Sequence, residues 1–177
     1  MNSKILKFEI SGMLFISFLG SFLHFTFNLA NKFWLVGMFS AVNESTWEHL
    51  KLAVIPAILW AVLESKVFRL KTSNFLFAKA VGIYLMPVLI IIFFYGYKAI
   101  LGHHNLLLDI AIFFIAVIIS QIVSYKIMSR PEFSRKFNAV SLLSLIILLL
   151  VFIVFTFYPP HIFLFQDSIS GQYGIIK

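Results

Sequence analysis

The chain has 177 residues, 61% of them hydrophobic and 12% charged, with a net charge of +7 and no cysteine. A mean hydropathy of +0.99 excludes an ordinary soluble domain of this size, and the lack of thiols excludes disulfides and thiolate-bound metal. The excess cations fall in short basic connections, so the lipid bilayer, with anionic headgroups at the cytoplasmic face, is the expected partner and nucleic acid is not.

Crossing ~30 Å of hydrocarbon takes about 20 apolar residues in a helix. The sequence therefore predicts an all-α, polytopic membrane protein: a single domain over 1–177 with five transmembrane helices at about 8–29, 46–68, 74–97, 105–124 and 137–158. Lys4 and Lys7 precede the first apolar run as in a signal peptide, but the run continues past Gly20 and Ser21 with no small-x-small site. It is read as an uncleaved span. Within it Ser17, Ser21, His24 and Asn28 recur at spacings of four, three and four, which predicts a polar stripe facing the bundle. His24 would lie about 7 Å below the outer end of this helix. Ala30 to Asn43 is too short to cross again, and Phe33 to Phe39, with Trp34, is expected along the outer interface.

The next stretch, Asn43-Glu44-Ser45-Thr46-Trp47-Glu48-His49-Leu50-Lys51, crowds charge into an apolar chain. Ser45-x-x-Glu48 fits a capping box, acids suit a first helical turn, and Trp47 suits an interface. Asn43-Glu44-Ser45 also matches a glycosylation sequon, which means something only in a eukaryotic secretory setting. Capping leaves Glu44 and His49 unexplained.

Pro56 and Pro87 fall inside the second and third spans, where neighbouring helices re-satisfy the backbone. Lys79, about a turn inside the third, is expected to snorkel. Glu9, Glu64 and Glu132 each have a basic residue or the headgroups within reach. On the fourth span Gly102, Asn105, Asp109, Ala116 and Ser120 form a second inward stripe, and before it His103 and His104 read as a wet loop pair. Lys66 to Ser73 and Tyr125 to Lys136 form basic loops, the second broken by Pro131. Pro159 and Pro160 stop the fifth span. The tail after them reads as an outer lid, with Phe163 and Phe165 docked on the rim, His161 solvated or capping, an Asx turn at Asp167, and Asp167 and Tyr173 over a pocket.

With the amino terminus cytoplasmic, nine cations (Lys4, Lys7, Lys66, Arg69, Lys71, Lys126, Arg130, Arg135 and Lys136) lie inside, against Lys32, Lys51, Lys98 and Lys177 outside. The positive-inside rule then predicts a multi-pass protein of the cell membrane with its carboxy terminus outside. All five histidines fall on that outer side. Ionisable groups at membrane depth are a functional hypothesis by default.

Three chemistries fit. His24, His49 and Asp109, with His103 or His104, are a ligand set for Zn²⁺ that leaves a position open for water. Glu48 would then be the general base, and Glu44 or Lys51 would orient the substrate. The enzyme would be a membrane-embedded metal-dependent hydrolase acting on a lipid or lipid-linked substrate that enters laterally. Alternatively, Glu48, His49 and Asp109 transfer protons without metal. In the third reading the groups bind and do not react, in a small-solute transporter or its substrate-binding subunit, or in a non-catalytic membrane partner whose outer motif binds another protein.

His24 to Asn28 (HFTFN), the nine-residue stretch Asn43 to Lys51, and Asp167-x-x-Ser170-Gly171-x-Tyr173-Gly174 together resemble an uncharacterised family of small prokaryotic integral membrane proteins with an N-E-S-x-W-E-H signature. Ser168 and Ser170 stand where that family is expected to carry Pro and Thr. The resemblance implies a small membrane protein and no activity. The gathering of His and Asp from several helices is also similar in architecture to intramembrane zinc hydrolases such as the alkaline ceramidases, without their spacings or seven-helix layout.

Overall fold

A backbone in hydrocarbon satisfies its own hydrogen bonds within each segment only as a helix. The computed structural model describes residues 2–68, 74–130 and 135–176. They form α1 (Asn2–Leu29), the short α2 (Trp34–Gly37), α3 (Thr46–Phe68), α4 (Phe75–Leu101), α5 (Leu106–Met128), α6 (Arg135–Phe157) and a 3-10 turn at Phe163–Phe165. The helices outrun the expected spans at several ends because the hydrogen-bond ladder continues until a cap stops it. α4, for example, ends where Gly102 takes φ +77° and its N–H bonds back to Lys98. Arg69, Lys71, Pro131, Glu132 and Lys177, all part of the charge reading, lie outside the described residues, as do the side chains of Arg135 and Lys136.

Among the described residues, four helices (α1, α4, α5 and α6) are long and apolar enough to cross a membrane. The second of the five expected spans, α3, is not one of them, for it carries Glu48, Lys51, Glu64 and Lys66. Yet twelve of its 23 residues are buried, Glu48, Lys51 and Glu64 included. The packing explains this: α1, α3, α4 and α5 close a ring, α1 touching α3 and α5 and α4 touching α3 and α5, while α6 lies outside against α4 and, lightly, α3. Ile16, Leu50, Val54, Met86, Ala116 and Phe152 meet in the shared core.

The inward face of α1 differs from the expected one. Ile5, Glu9, Gly12, Ile16, Gly20 and Phe27 are buried, whereas Ser21 and Asn28 are exposed. Ser21 needs no bundle partner, since its hydroxyl donates to the Ser17 carbonyl at 2.9 Å. Gly20 marks the closest approach, because a Cβ there would stand 2.3 Å from the Leu52 carbonyl oxygen of α3. The long helices run alternately up and down. Asn74 at the start of α4 donates to the Ile127 and Arg130 carbonyls at the end of α5, and Tyr97 near the end of α4 bonds Asp109 at the start of α5. The tail therefore lies at the end of the bundle opposite the start of α1.

Candidate metal centre

The segment 38–45 enters α3 through a set of local bonds. Asn43 Oδ1 accepts from the Ser45 amide at 2.9 Å, and Ser45 Oγ accepts from the Glu48 amide at 3.4 Å. Half of the expected capping box is thus present. The other half is not, because the Glu48 carboxylate turns elsewhere. Its Oε2 accepts from the Val42 amide at 3.1 Å and lies 2.6 Å from Lys51 Nζ. Lys51 also donates to the Gly37 carbonyl and to Thr156 of α6, both at 2.8 Å. Glu48 is 2% exposed and Lys51 0%, so the pair staples the 37–42 segment and α6 to α3. Neither polar head reaches solvent, and each is taken up by the other and by neighbouring backbone or Thr156.

Glu44 and His49 stay half-exposed and turn toward α1. His49 Nε2 lies 3.4 Å from Glu44 Oε2, and the His24 and His49 rings meet edge-on at 5.1 Å. One potential ligand atom from each of His24, Glu44 and His49 falls within 4.8 Å of the others, and no further such group occurs among the described residues. The bond at the far side of His49 decides what this arrangement accepts. Its Nδ1 lies 2.8 Å from the Ser45 carbonyl, which only accepts, so Nδ1 carries the hydrogen. Nε2, facing the Glu44 carboxylate, then either carries a second proton and donates to it as an imidazolium or turns a lone pair to a cation held between the two. The contact with His49 holds the Glu44 carboxyl below its ordinary value; burial opposes this and His24 reinforces it. On α1, His24 Nδ1 is buried without a hydrogen-bond partner.

The C-terminal tail fixes Glu44 from the other side. Asp167 Oδ2 accepts from the Glu44 amide at 2.7 Å, and Ser168 donates to the Glu44 carbonyl at 3.1 Å. Asp167 Oδ1 closes the expected Asx turn with the amides of Ile169 and Ser170 and the Ser170 hydroxyl. Burial alone would raise the Asp167 carboxyl, but the donors on Ser170, Glu44 and Ile169 outweigh it and hold it low. Asn43 Nδ2 reaches the Gly174 carbonyl at 2.8 Å. Phe165 packs against Trp47, which stacks on Phe152; of the two aromatic residues expected to dock the tail, Phe165 is buried, while Phe163 meets Tyr95 edge-on and stays exposed. His161 stacks on Tyr173 at 4.5 Å.

Of the residues expected to form the site, the fold gathers His24, His49 and Glu44. It leaves Asp109 with Tyr97 and, 3.5 Å away, the exposed His104. His103 bonds the Leu101 carbonyl at an exposed turn. At the opposite end of the bundle lies a cluster that the sequence reading missed. Lys79, expected to snorkel, is 3% exposed, with Nζ 2.7 Å from Glu9 and 2.6 Å from Glu64, both 0% exposed. The available signal was Glu9 at i−3 from Gly12, on a stripe whose other members are apolar or small.

The family model described as a family of unknown function (DUF6512) matches residues 1–175. No curated protein and no solved structure matches the chain.

Proposed function

Because the chain belongs to the family of unknown function DUF6512, we propose a function from its own geometry: a membrane-embedded protein that binds a divalent transition metal, Zn²⁺ first, through His24, Glu44 and His49. The observation that carries this reading is the 3.4 Å gap between His49 Nε2 and Glu44 Oε2. A charge-assisted hydrogen bond is shorter, about 2.7–2.9 Å. Two ligands on a tetrahedral zinc, each about 2.1 Å from the ion, stand roughly 3.4 Å apart. The Ser45 carbonyl on Nδ1 is the kind of partner that sets a ligating histidine's tautomer, and His24, with a ring nitrogen within 4.8 Å of the other two ligand atoms, would take the third position.

Two imidazoles and a carboxylate leave one tetrahedral position for water, and a zinc-bound water ionises near neutral pH. That favours metal-dependent hydrolysis of a lipid or lipid-linked substrate entering from the bilayer. Glu48 and Lys51 act here as positioning residues, and Asp109 and His103 take no part. α3 is read as the fifth span, with the amino terminus cytoplasmic and the tail outside.

The test is the metal content of purified full-length protein. About one equivalent of zinc is expected, lost in His49→Ala and His24→Ala, reduced in Glu44→Gln, and retained in Asp109→Asn and His103→Ala. Protein that carries no metal and takes up none on addition rejects the reading. Metal-dependent release of acyl or headgroup product from proteoliposomes, abolished in His49→Ala, tests the hydrolase assignment separately.

A further inference from the structure

The buried cluster near the start of α1 does not balance in charge. Glu9 comes from α1, Glu64 from α3 and Lys79 from α4; α5 adds the Ser124 hydroxyl, which donates to Glu9 Oε1 at 2.8 Å, and Gln121, whose amide reaches the Glu9 carbonyl at 3.4 Å. The charged groups acting on Glu64 are Lys79 and Glu9. Two buried carboxylates thus face one buried ammonium. Their remaining oxygens, Glu9 Oε2 and Glu64 Oε1, are buried with no partner at all.

Fully ionised, the cluster would hold one uncompensated negative charge in the low-dielectric interior, which is strongly unfavourable. Two carboxyl groups in one site escape that penalty when one of them keeps its proton. The packing is built around the cluster and does not merely tolerate it. A Cβ on Gly12 would stand 2.2 Å from Gln121 Nε2 and 2.6 Å from Trp60 Nε1, so the glycine makes room for the polar side chains beside Glu9. Lys79 also forms part of the wall of a cavity of about 330 Å³ between α3, α4 and α6, together with Ser65, Phe75 and Leu145. This recess is many times the roughly 30 Å³ share of one water, and Lys79 and Ser65 are the polar side chains on its otherwise apolar wall.

We propose that Glu9, Glu64 and Lys79 form a proton-binding site in the interior of the bundle, in which the two carboxyl groups together hold one exchangeable proton at neutral pH. The site is independent of the metal centre at the other end. Binding adds one proton to a carboxylate oxygen and release returns it to solvent, so the step needs no co-reactant. It equips the protein to couple its conformation to proton concentration.

Infrared spectroscopy of the full-length protein in bilayers at neutral pH tests this. The wild type should show a protonated-carboxyl C=O band that shifts in D₂O. Removing either acid leaves the other paired with Lys79, so the band should vanish in both Glu9→Gln and Glu64→Gln. Lys79→Met strands two carboxyls with no cation, and the band should grow about twofold. Wild-type protein without the band, or a band that survives either glutamine substitution, overturns the proposal. Should a variant fail to fold, the wild-type band and its deuterium shift decide alone, and Asp109→Asn and Glu44→Gln, which alter acids elsewhere, should leave the band in place.

Discussion

Asp167 shows how one side chain sets the geometry of a site it does not join. Its two oxygens accept from Glu44, Ile169 and Ser170, so it fixes the tail's turn and the backbone of a candidate ligand together. Hydrogen bonds to a charged group contribute about 1.5–3 kcal/mol each, and losing them leaves part-buried amides without these partners. Asp167→Ala should therefore cost roughly 3 kcal/mol in denaturant unfolding in detergent, and Asp167→Asn, which keeps an acceptor, about half of that. The pH dependence has a definite sign. Asp167 and Glu44 are both held below their ordinary values, so the folded state binds protons less readily than the unfolded state. Their stabilisation is complete above the unfolded carboxyl values of about 3.9 and 4.3 and is lost as pH falls through the lower folded values. The melting temperature should hold level down to about pH 5 and fall below about pH 4, less steeply in Asp167→Asn. The buried Glu48–Lys51 pair behaves differently, because removing one partner strands the other. Lys51→Ala should cost about 3–5 kcal/mol, and a loss under 1 kcal/mol would contradict the role of staple.

At the level of helices, Gly20 sets the α1–α3 distance on which the His24–His49 approach depends. Gly20→Ala puts a methyl 2.3 Å from the Leu52 carbonyl, and backbone gives way less easily than a side chain. The variant should lose about 1–3 kcal/mol and weaken zinc binding, while Gly96→Ala, with nothing within 4 Å of the added carbon, should match the wild type. The sequence made the helices legible because hydropathy and length are local properties; α3 begins where the pattern put it, at Thr46. Facing was harder to read. A serine on α1 satisfies itself against its own helix, so Ser21 signalled an inward face that in fact runs one residue away, through Gly20. His24 and His49 were recognised as partners, since both sit near the ends of adjoining spans. Glu44 as the third member, and Glu48 as a buried ion, depend on where segment 37–42 and α6 fold back. The Glu9–Lys79–Glu64 cluster joins residues 70 apart in chain between Glu9 and Lys79, and no periodicity within one helix encodes that pairing.

The described part of the molecule buries charge where α1, α3 and α4 meet and turns apolar side chains outward. Leu14, Phe18, Phe22, Phe25 and Leu29 of α1, and Leu143, Ile147 and Leu150 of α6, are exposed, far more apolar surface than water tolerates on a monomer. At 1.5 Å per residue, α3 is about 35 Å long, sufficient to cross beside its neighbours. If it crosses, the long helices traverse the bilayer an odd number of times and the ends of the chain lie on opposite sides. The chain has no cysteine of its own, so single substitutions report cleanly. Ser3→Cys places a thiol on an exposed position at the start of α1, and Ile169→Cys replaces a side chain that is 83% exposed at the tail's turn. A membrane-impermeant maleimide applied to intact cells should label Ile169→Cys, and should reach Ser3→Cys only after permeabilisation. Equal labelling of both from outside would mean that α3 does not span and would remove the common depth at which His24 and His49 meet. Labelling of Ser3→Cys alone would keep the bundle but turn the metal centre toward the cytoplasm, against the bias of nine cations to four.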